Sequence, residues 1–213
     1  MKLYIISGLG ADFKILENIK FPDTVEPIFI PWLIPENNES FEHYVCRMAE
    51  KIDFSEPFAL LGYSFGGFVV QEINKKIKPA EKVVLLASIK SDSEMPKLGY
   101  FFKKMRLIKL LPISFFSEKS VFVYSFIRKF IEADSPRVDK YFRVRAPYYL
   151  KWSLDKIVNW EFEKTENIVQ IMGDKDIAFP IQNSQPDYII KNATHLFPAT
   201  KAKEVSEILR KIF

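Results

Sequence analysis

Ser64 stands in Gly62-Tyr63-Ser64-Phe65-Gly66-Gly67, after the apolar run Phe58-Ala59-Leu60-Leu61 and before Phe68-Val69-Val70-Gln71-Glu72-Ile73, which has the spacing of an amphipathic helix. A strand, a sharp turn and a helix are therefore expected around one hydroxyl. Glycine two positions to either side suits such a turn, because the strand and helix backbones converge there and leave no room for a Cβ. The bare Gly-x-Ser-x-Gly pattern is weak, since ordinary Gly and Ser usage yields it by chance in roughly 7% of chains this long. Its strand-turn-helix context gives it weight. Serine is a poor nucleophile until an imidazole takes its proton. The chain holds two histidines, His43 and His195. His43 falls in the first turn of a helical pattern ahead of the serine strand, where a surface position is expected. Carboxylates that could orient an imidazole include Asp174 and Asp176, which follow one apolar run, and Asp92 and Glu94, which follow another. Such a set can carry out acyl transfer through a serine ester. An ordinary turn serine is the bland alternative.

These residues need a scaffold that brings distant segments together. Strands are predicted at Leu3 to Ser7, Glu26 to Pro31, Phe58 to Tyr63, Lys82 to Ala87, Ile168 to Met172 and Asp187 to Asn192. Most are unbroken apolar runs, as expected of strands covered on both faces. Helices are predicted at Asp12 to Ile19, at Phe41 to Ile52 with Ser40 as N-cap, at Gly67 to Ile77 and at Lys201 to Phe213. This alternation predicts an α/β fold: a mostly parallel sheet of about six strands with helices on both faces. Ser88 to Trp160 is too long for a loop and is periodic enough for several helices. Pro96, Pro112, Pro136 and Pro147 punctuate it, which predicts three or four short helices in an inserted cap at about 90–160.

Composition excludes other classes. With 48% apolar and 27% charged residues in 213, one globular domain spanning 1–213 is expected. No stretch approaches the roughly 18 apolar residues of a membrane span, and the first eight residues are too short an apolar run for a signal peptide. A cytoplasmic protein without stable membrane insertion is expected. The single cysteine, Cys46, lies in a helical pattern and is expected to pack. Two histidines give no cluster with metal-ligand spacing, so no metal or cofactor is expected. Residues 95–160 carry fourteen Lys+Arg against five Asp+Glu, which leaves seventeen against twenty-two elsewhere. This basic segment is packed with Phe, Leu and Ile, unlike a nucleic-acid domain. Of seven glycines, Gly8, Gly10, Gly62, Gly66, Gly67 and Gly173 fall in loops at predicted strand ends, and only Gly99 does not.

The sequence around Ser64 resembles the nucleophile elbow of the α/β-hydrolase superfamily, and the resemblance runs along nearly the whole chain. Met172-Gly173-Asp174-Lys175-Asp176 is similar to that family's acid turn, in which the second aspartate serves, and Asn192-Ala193-Thr194-His195-Leu196-Phe197 is similar to its histidine loop. The order Ser64, Asp176, His195 matches the family's chain order. The resemblance implies Ser64 as nucleophile, His195 as general base and Asp176 as the acid, with Asp174, Asp92 and Glu94 as competitors for the last role. Ile6-Ser7-Gly8-Leu9-Gly10 looks like the family's oxyanion loop, which implies the amides of Leu9 and Phe65 as donors. The chain departs from the family at Ser7, where a histidine is common, at Ala193-Thr194, where glycine is common, and in lacking the first antiparallel strands. Only nineteen positions separate Asp176 from His195, so that connection must be short.

Tyr100 to Leu111 alternates basic and apolar residues at spacings compatible with one amphipathic helix, followed by Phe115, Phe116, Phe122, Tyr124 and Phe126. An apolar lid favours a small hydrophobic acyl ester or thioester as substrate. The basic face could solvate the cap, attract an anionic acyl carrier or touch an acidic membrane, in that order of preference. A homodimer is left open. A non-catalytic binding module on the same scaffold is the alternative to an enzyme.

Overall fold

The computed structural model describes residues 1–117 and 141–213. Six strands form one sheet: β1 (Lys2–Ile6), β2 (Glu26–Ile30), β3 (Phe58–Tyr63), β4 (Lys82–Leu86), β5 (Ile168–Gly173) and β6 (Tyr188–Ile190). Their spatial order is β2-β1-β3-β4-β5-β6, and every neighbouring pair is parallel. Alternate side chains of each strand enter different cores, as the two-residue period requires. Tyr4, Ile6, Phe58 and Leu60 face one core, whereas Leu3, Ile5, Ala59 and Leu61 face the other. Because both faces are covered, the inner strands read as unbroken apolar runs. The edge strand β2 is mostly exposed and carries Pro27, a residue with no amide to give a ladder.

Helices α1 (Phe41–Ala49) and α2 (Phe65–Lys76) pack on the first face, and α7 (Ala202–Ile212) packs on the second. Ser40 caps α1, its hydroxyl accepting from the amide of His43 at 3.1 Å. Helix α2 buries Phe65 through Asn74, and side chains such as Phe68 and Ile73 contribute about 1.5–3 kcal/mol each by leaving water. The chain runs from β1 outward to β2, then returns to place β3 on the other side of β1. The winding direction therefore reverses between β1 and β3, and in open α/β sheets the carboxyl ends of the strands at such a reversal are where ligands are generally bound.

The expected helix at Asp12 to Ile19 is only a 3-10 turn, Phe13–Leu16. The Asp12 side chain accepts from the Lys14 amide and closes a tight turn, and Ile15, Leu16 and Ile19 still reach the second core. Cys46 is exposed rather than packed, because the buried stripe of α1 runs through Tyr44, Val45, Met48 and Ala49. The chain leaves the Asp176 turn through a 3-10 turn at Ile181–Asn183 and enters β6 without an intervening helix. A four-residue helix, α6 (Phe197–Thr200), follows the histidine loop.

Between β4 and β5 lie α3 (Lys97–Lys104), α4 (Leu107–Leu110), a 3-10 turn at Ile113–Phe116 and α5 (Pro147–Val158). Tyr100 to Leu111 is not one helix, because Arg106 adopts φ 50° and breaks it into α3 and α4. Pro96 and Pro112 immediately precede helical turns, and Pro147 opens α5, where its fixed φ suits the first position. Pro136, Phe122, Tyr124 and Phe126 lie outside the described residues. Among those described, no helix is long and apolar enough to cross a membrane.

Candidate active site

Ser64 occupies the N-cap position of α2, with φ 50° and ψ −119°. A non-glycine residue in this region costs of order 1–3 kcal/mol, which the packing around the turn must offset. That packing is tight, since a Cβ on Gly66 would run into the carbonyl oxygens of Ile6 and Ser7. The strand register that pairs Ile6 with Gly62 brings β1 this close. A serine at an N-cap ordinarily accepts from a free amide of its helix. Ser64 makes no such bond; its Oγ lies 2.9 Å from His195 Nε2.

His195 is 5% exposed and held on several sides. Its Nδ1 is 2.8 Å from Asp176 Oδ2, its carbonyl accepts from the Tyr63 hydroxyl at 3.2 Å, and the rings of Tyr63 and Phe179 lie beside it. Burial, aided by the charge of Asp176, pushes the Tyr63 phenol well above its ordinary value, so it stays a donor. Asp176 is buried as well. Its Oδ1 accepts from the amides of Ala178 at 2.8 Å and Phe179 at 3.0 Å, which turns Oδ2 toward the imidazole.

Two of the competing carboxylates are engaged elsewhere. Asp174 Oδ1 accepts from the Ala193 amide at 3.2 Å and so closes the histidine loop. Glu94 Oε2 accepts from the Lys90 amide and from Gln170 Nε2, both at 2.9 Å. Asp92 sits at the start of a 3-10 turn. Ser7 donates to the Asp12 carbonyl, a tie that needs no ring. His43 is on the surface of α1, its Nδ1 2.6 Å from Glu39 Oε1. Ligand atoms of Glu36, Glu39 and His43 lie within 4.8 Å of one another, but Arg47 Nη1 donates to both oxygens of Glu39, so that cluster already has its cation.

The loop after β1 faces the elbow. Gly10 has φ 69°, a conformation that glycine adopts without penalty. Among the described residues, neither the Leu9 amide nor the Phe65 amide has an acceptor, and the Phe65 amide belongs to the first turn of α2, where helix geometry leaves N–H groups free. Two residues that sequence patterns do not single out support this loop. Trp32 Nε1 donates to the Gly8 carbonyl at 2.8 Å, and the Tyr149 hydroxyl accepts from the Gly10 amide at 3.3 Å. The one available signal was that Trp32 follows the carboxyl end of a predicted strand, the sheet edge on which the other site residues lie. Above the loop, Ile108, Phe116, Tyr149 and Leu150 form an apolar cluster with Leu9 and Trp32 packed against it.

No protein-family description and no curated protein matches the chain by sequence. Solved structures do match by shape. A thermophilic esterase from Thermogutta terrifontis superposes with a TM-score of 0.69 at 12% identity, covering 99% of this chain and 88% of its own. A hydrolase from Oleispira antarctica gives 0.71 at 12% identity, with 99% and 90% covered. A lipase-esterase related protein from Clostridium acetobutylicum gives 0.67 at 17%, with 100% and 94% covered. At such identities the likeness is one of fold.

Proposed function

We propose, on the premise that the chain has the α/β-hydrolase fold, that it is a serine hydrolase cleaving a carboxylic ester or thioester of a small hydrophobic acyl group. The observation that carries this reading is the unbroken relay from the Ser64 hydroxyl through His195 to Asp176, at 2.9 and 2.8 Å. In this mechanism Nδ1 of His195 holds its proton against Asp176, which leaves Nε2 as the acceptor for the hydroxyl proton. The Ser64 oxygen attacks the acyl carbon as that proton moves to Nε2. The developing oxyanion faces the Leu9 and Phe65 amides, and donors of this kind contribute about 2.7–4 kcal/mol each. Collapse expels the alcohol or thiol, which takes the proton from the imidazolium. Water then repeats the sequence on the acyl-enzyme and restores Ser64. The chemistry asks for no metal or cofactor.

Esterases among the structural neighbours support a hydrolase, and the apolar cluster over Leu9 and Trp32 supports an apolar acyl group. In this reading 1–213 is one domain with an inserted cap at about 90–160, whose described helices α3, α4 and α5 cover the site. The test is an alkylfluorophosphonate probe and a panel of short to medium acyl esters and thioesters. Labelling and turnover are expected in the wild type, and neither in Ser64→Ala. A well-folded wild type that neither labels nor turns over any member of the panel would point to a binding module instead.

A further inference from the structure

We infer that Trp32 is a positioning residue for the oxyanion hole, aiming the Leu9 amide by holding the carbonyl of the preceding residue. The inference rests on the serine-hydrolase reading and deepens it. The Gly8 carbonyl and the Leu9 amide belong to one planar peptide unit, and no peptide bond in the described chain is cis. In a trans unit the C=O and N–H point in opposite directions, so a donor that fixes the carbonyl also fixes where the amide points. The Gly8 oxygen takes two donors on one side, Trp32 Nε1 at 2.8 Å and the Ala11 amide at 3.0 Å. Rotation of that peptide plane would break both.

The indole is itself well anchored. It stacks on Phe65 with centroids 5.2 Å apart and planes 13° apart, lies over Tyr44 at 6.5 Å and contacts Tyr149 at 5.9 Å. Phe65 is the residue whose own amide is the second donor of the proposed hole. One side chain therefore touches both halves of the hole: the Leu9 half through a hydrogen bond to Gly8, and the Phe65 half through a ring face. Tyr149 completes the clamp downstream by accepting from the Gly10 amide, while the Gly10 carbonyl accepts from the amides of Arg143 and Val144. The Gly8–Leu9 peptide is thus pinned before and after the donor, and the donor itself is left for substrate.

The test uses Trp32→Phe, which keeps a ring on Phe65 and deletes the N–H, and Trp32→His, which keeps a ring N–H. Both are assayed for kcat and KM on the best ester of the panel, for inhibition by a trifluoromethyl ketone that forms a tetrahedral oxyanion on serine, and for melting temperature. In Trp32→Phe, kcat should fall on the order of 10- to 100-fold, short of the 10²–10³ lost when a donor is removed outright. KM should stay within about threefold, and ketone affinity should fall by the same factor as kcat/KM, since both report the oxyanion. Trp32→His should recover part of the loss. Unchanged kcat in Trp32→Phe, or folded Phe and His variants that lose activity alike with ketone affinity intact, would reduce Trp32 to packing and leave the hydrolase reading standing. A folded wild type that is neither labelled at Ser64 nor active would sink both.

Discussion

Two carboxylate-imidazole pairs occur among the described residues, and they differ in what lies on the far side of the ring. Asp176 and Glu39 are equally hidden, their side chains 0% and 1% exposed, and each lies within hydrogen-bond range of a histidine Nδ1, at 2.8 and 2.6 Å. The imidazole of His195 is 6% exposed and presents Nε2 to a serine. That of His43 is 58% exposed. Glu39 also receives Arg47 on both oxygens and so already has a full cation, whereas the second oxygen of Asp176 is taken by backbone amides. The Glu39 pair is local in the chain: Glu39 lies just before Ser40, the N-cap of α1, and His43 stands in the first turn of that helix, four residues on. The other pair spans nineteen residues and exists only because two loops leave adjacent strands at one sheet edge. Contact between a carboxylate and an imidazole is therefore common chemistry. What separates the two is burial and a third group in line.

Substitutions should pull the pairs apart. The largest effect is expected at Ser64→Ala and His195→Ala, which should lower kcat on the order of 10⁵- to 10⁶-fold in steady-state ester hydrolysis, while His43→Ala leaves it within about twofold, as a surface change does. Next, Asp176→Asn should cost roughly 10⁴-fold in kcat through the wrong tautomer, with slowed but detectable fluorophosphonate labelling. Glu39→Gln should leave turnover near wild type and instead lower stability by about 1–3 kcal/mol in urea denaturation, because Arg47 and the Glu36 amide lose a charged acceptor. Equal losses of turnover in Asp176→Asn and Glu39→Gln would erase the distinction.

The smallest effect is in pH dependence. Burial alone would raise the Glu39 carboxyl, but hydrogen bonds from Arg47, the Glu36 amide and His43 outweigh it and hold the group below its ordinary value of 4.5. A carboxyl depressed by folding adds stability above its unfolded value and forfeits it as pH falls through the folded one. The stability gap between wild type and Glu39→Gln should thus be full near neutrality and should shrink on acidification below pH 4.5, measured by melting at a series of pH values. A gap that widened toward acid would reverse the sign.

Much of this could be read from residues alone, where the physics is local. Ser40 caps α1 through its own hydroxyl, the apolar runs mark inner strands because both faces are covered, and glycine marks the turns where backbones meet. The elbow around Ser64 belongs here too, since its strand, turn and helix are consecutive in the chain. Local patterns failed where long-range packing chose among permitted local forms. The break at Arg106 and the exposure of Cys46 are of this kind, because which side of a helix is covered depends on what lies across from it.

The sequence by itself determined the parallel sheet, the turn that holds Ser64 and the short list of groups able to act with it. Only the tertiary structure decided that Asp176 rather than Asp174 or Glu94 faces the imidazole of His195, and that Trp32 and Tyr149 grip the loop carrying Leu9. The reason is geometric. A hydrogen bond forms within about 3 Å at a suitable angle, and such proximity between residues far apart in the chain is set by strand order and register, which no spacing along one segment encodes.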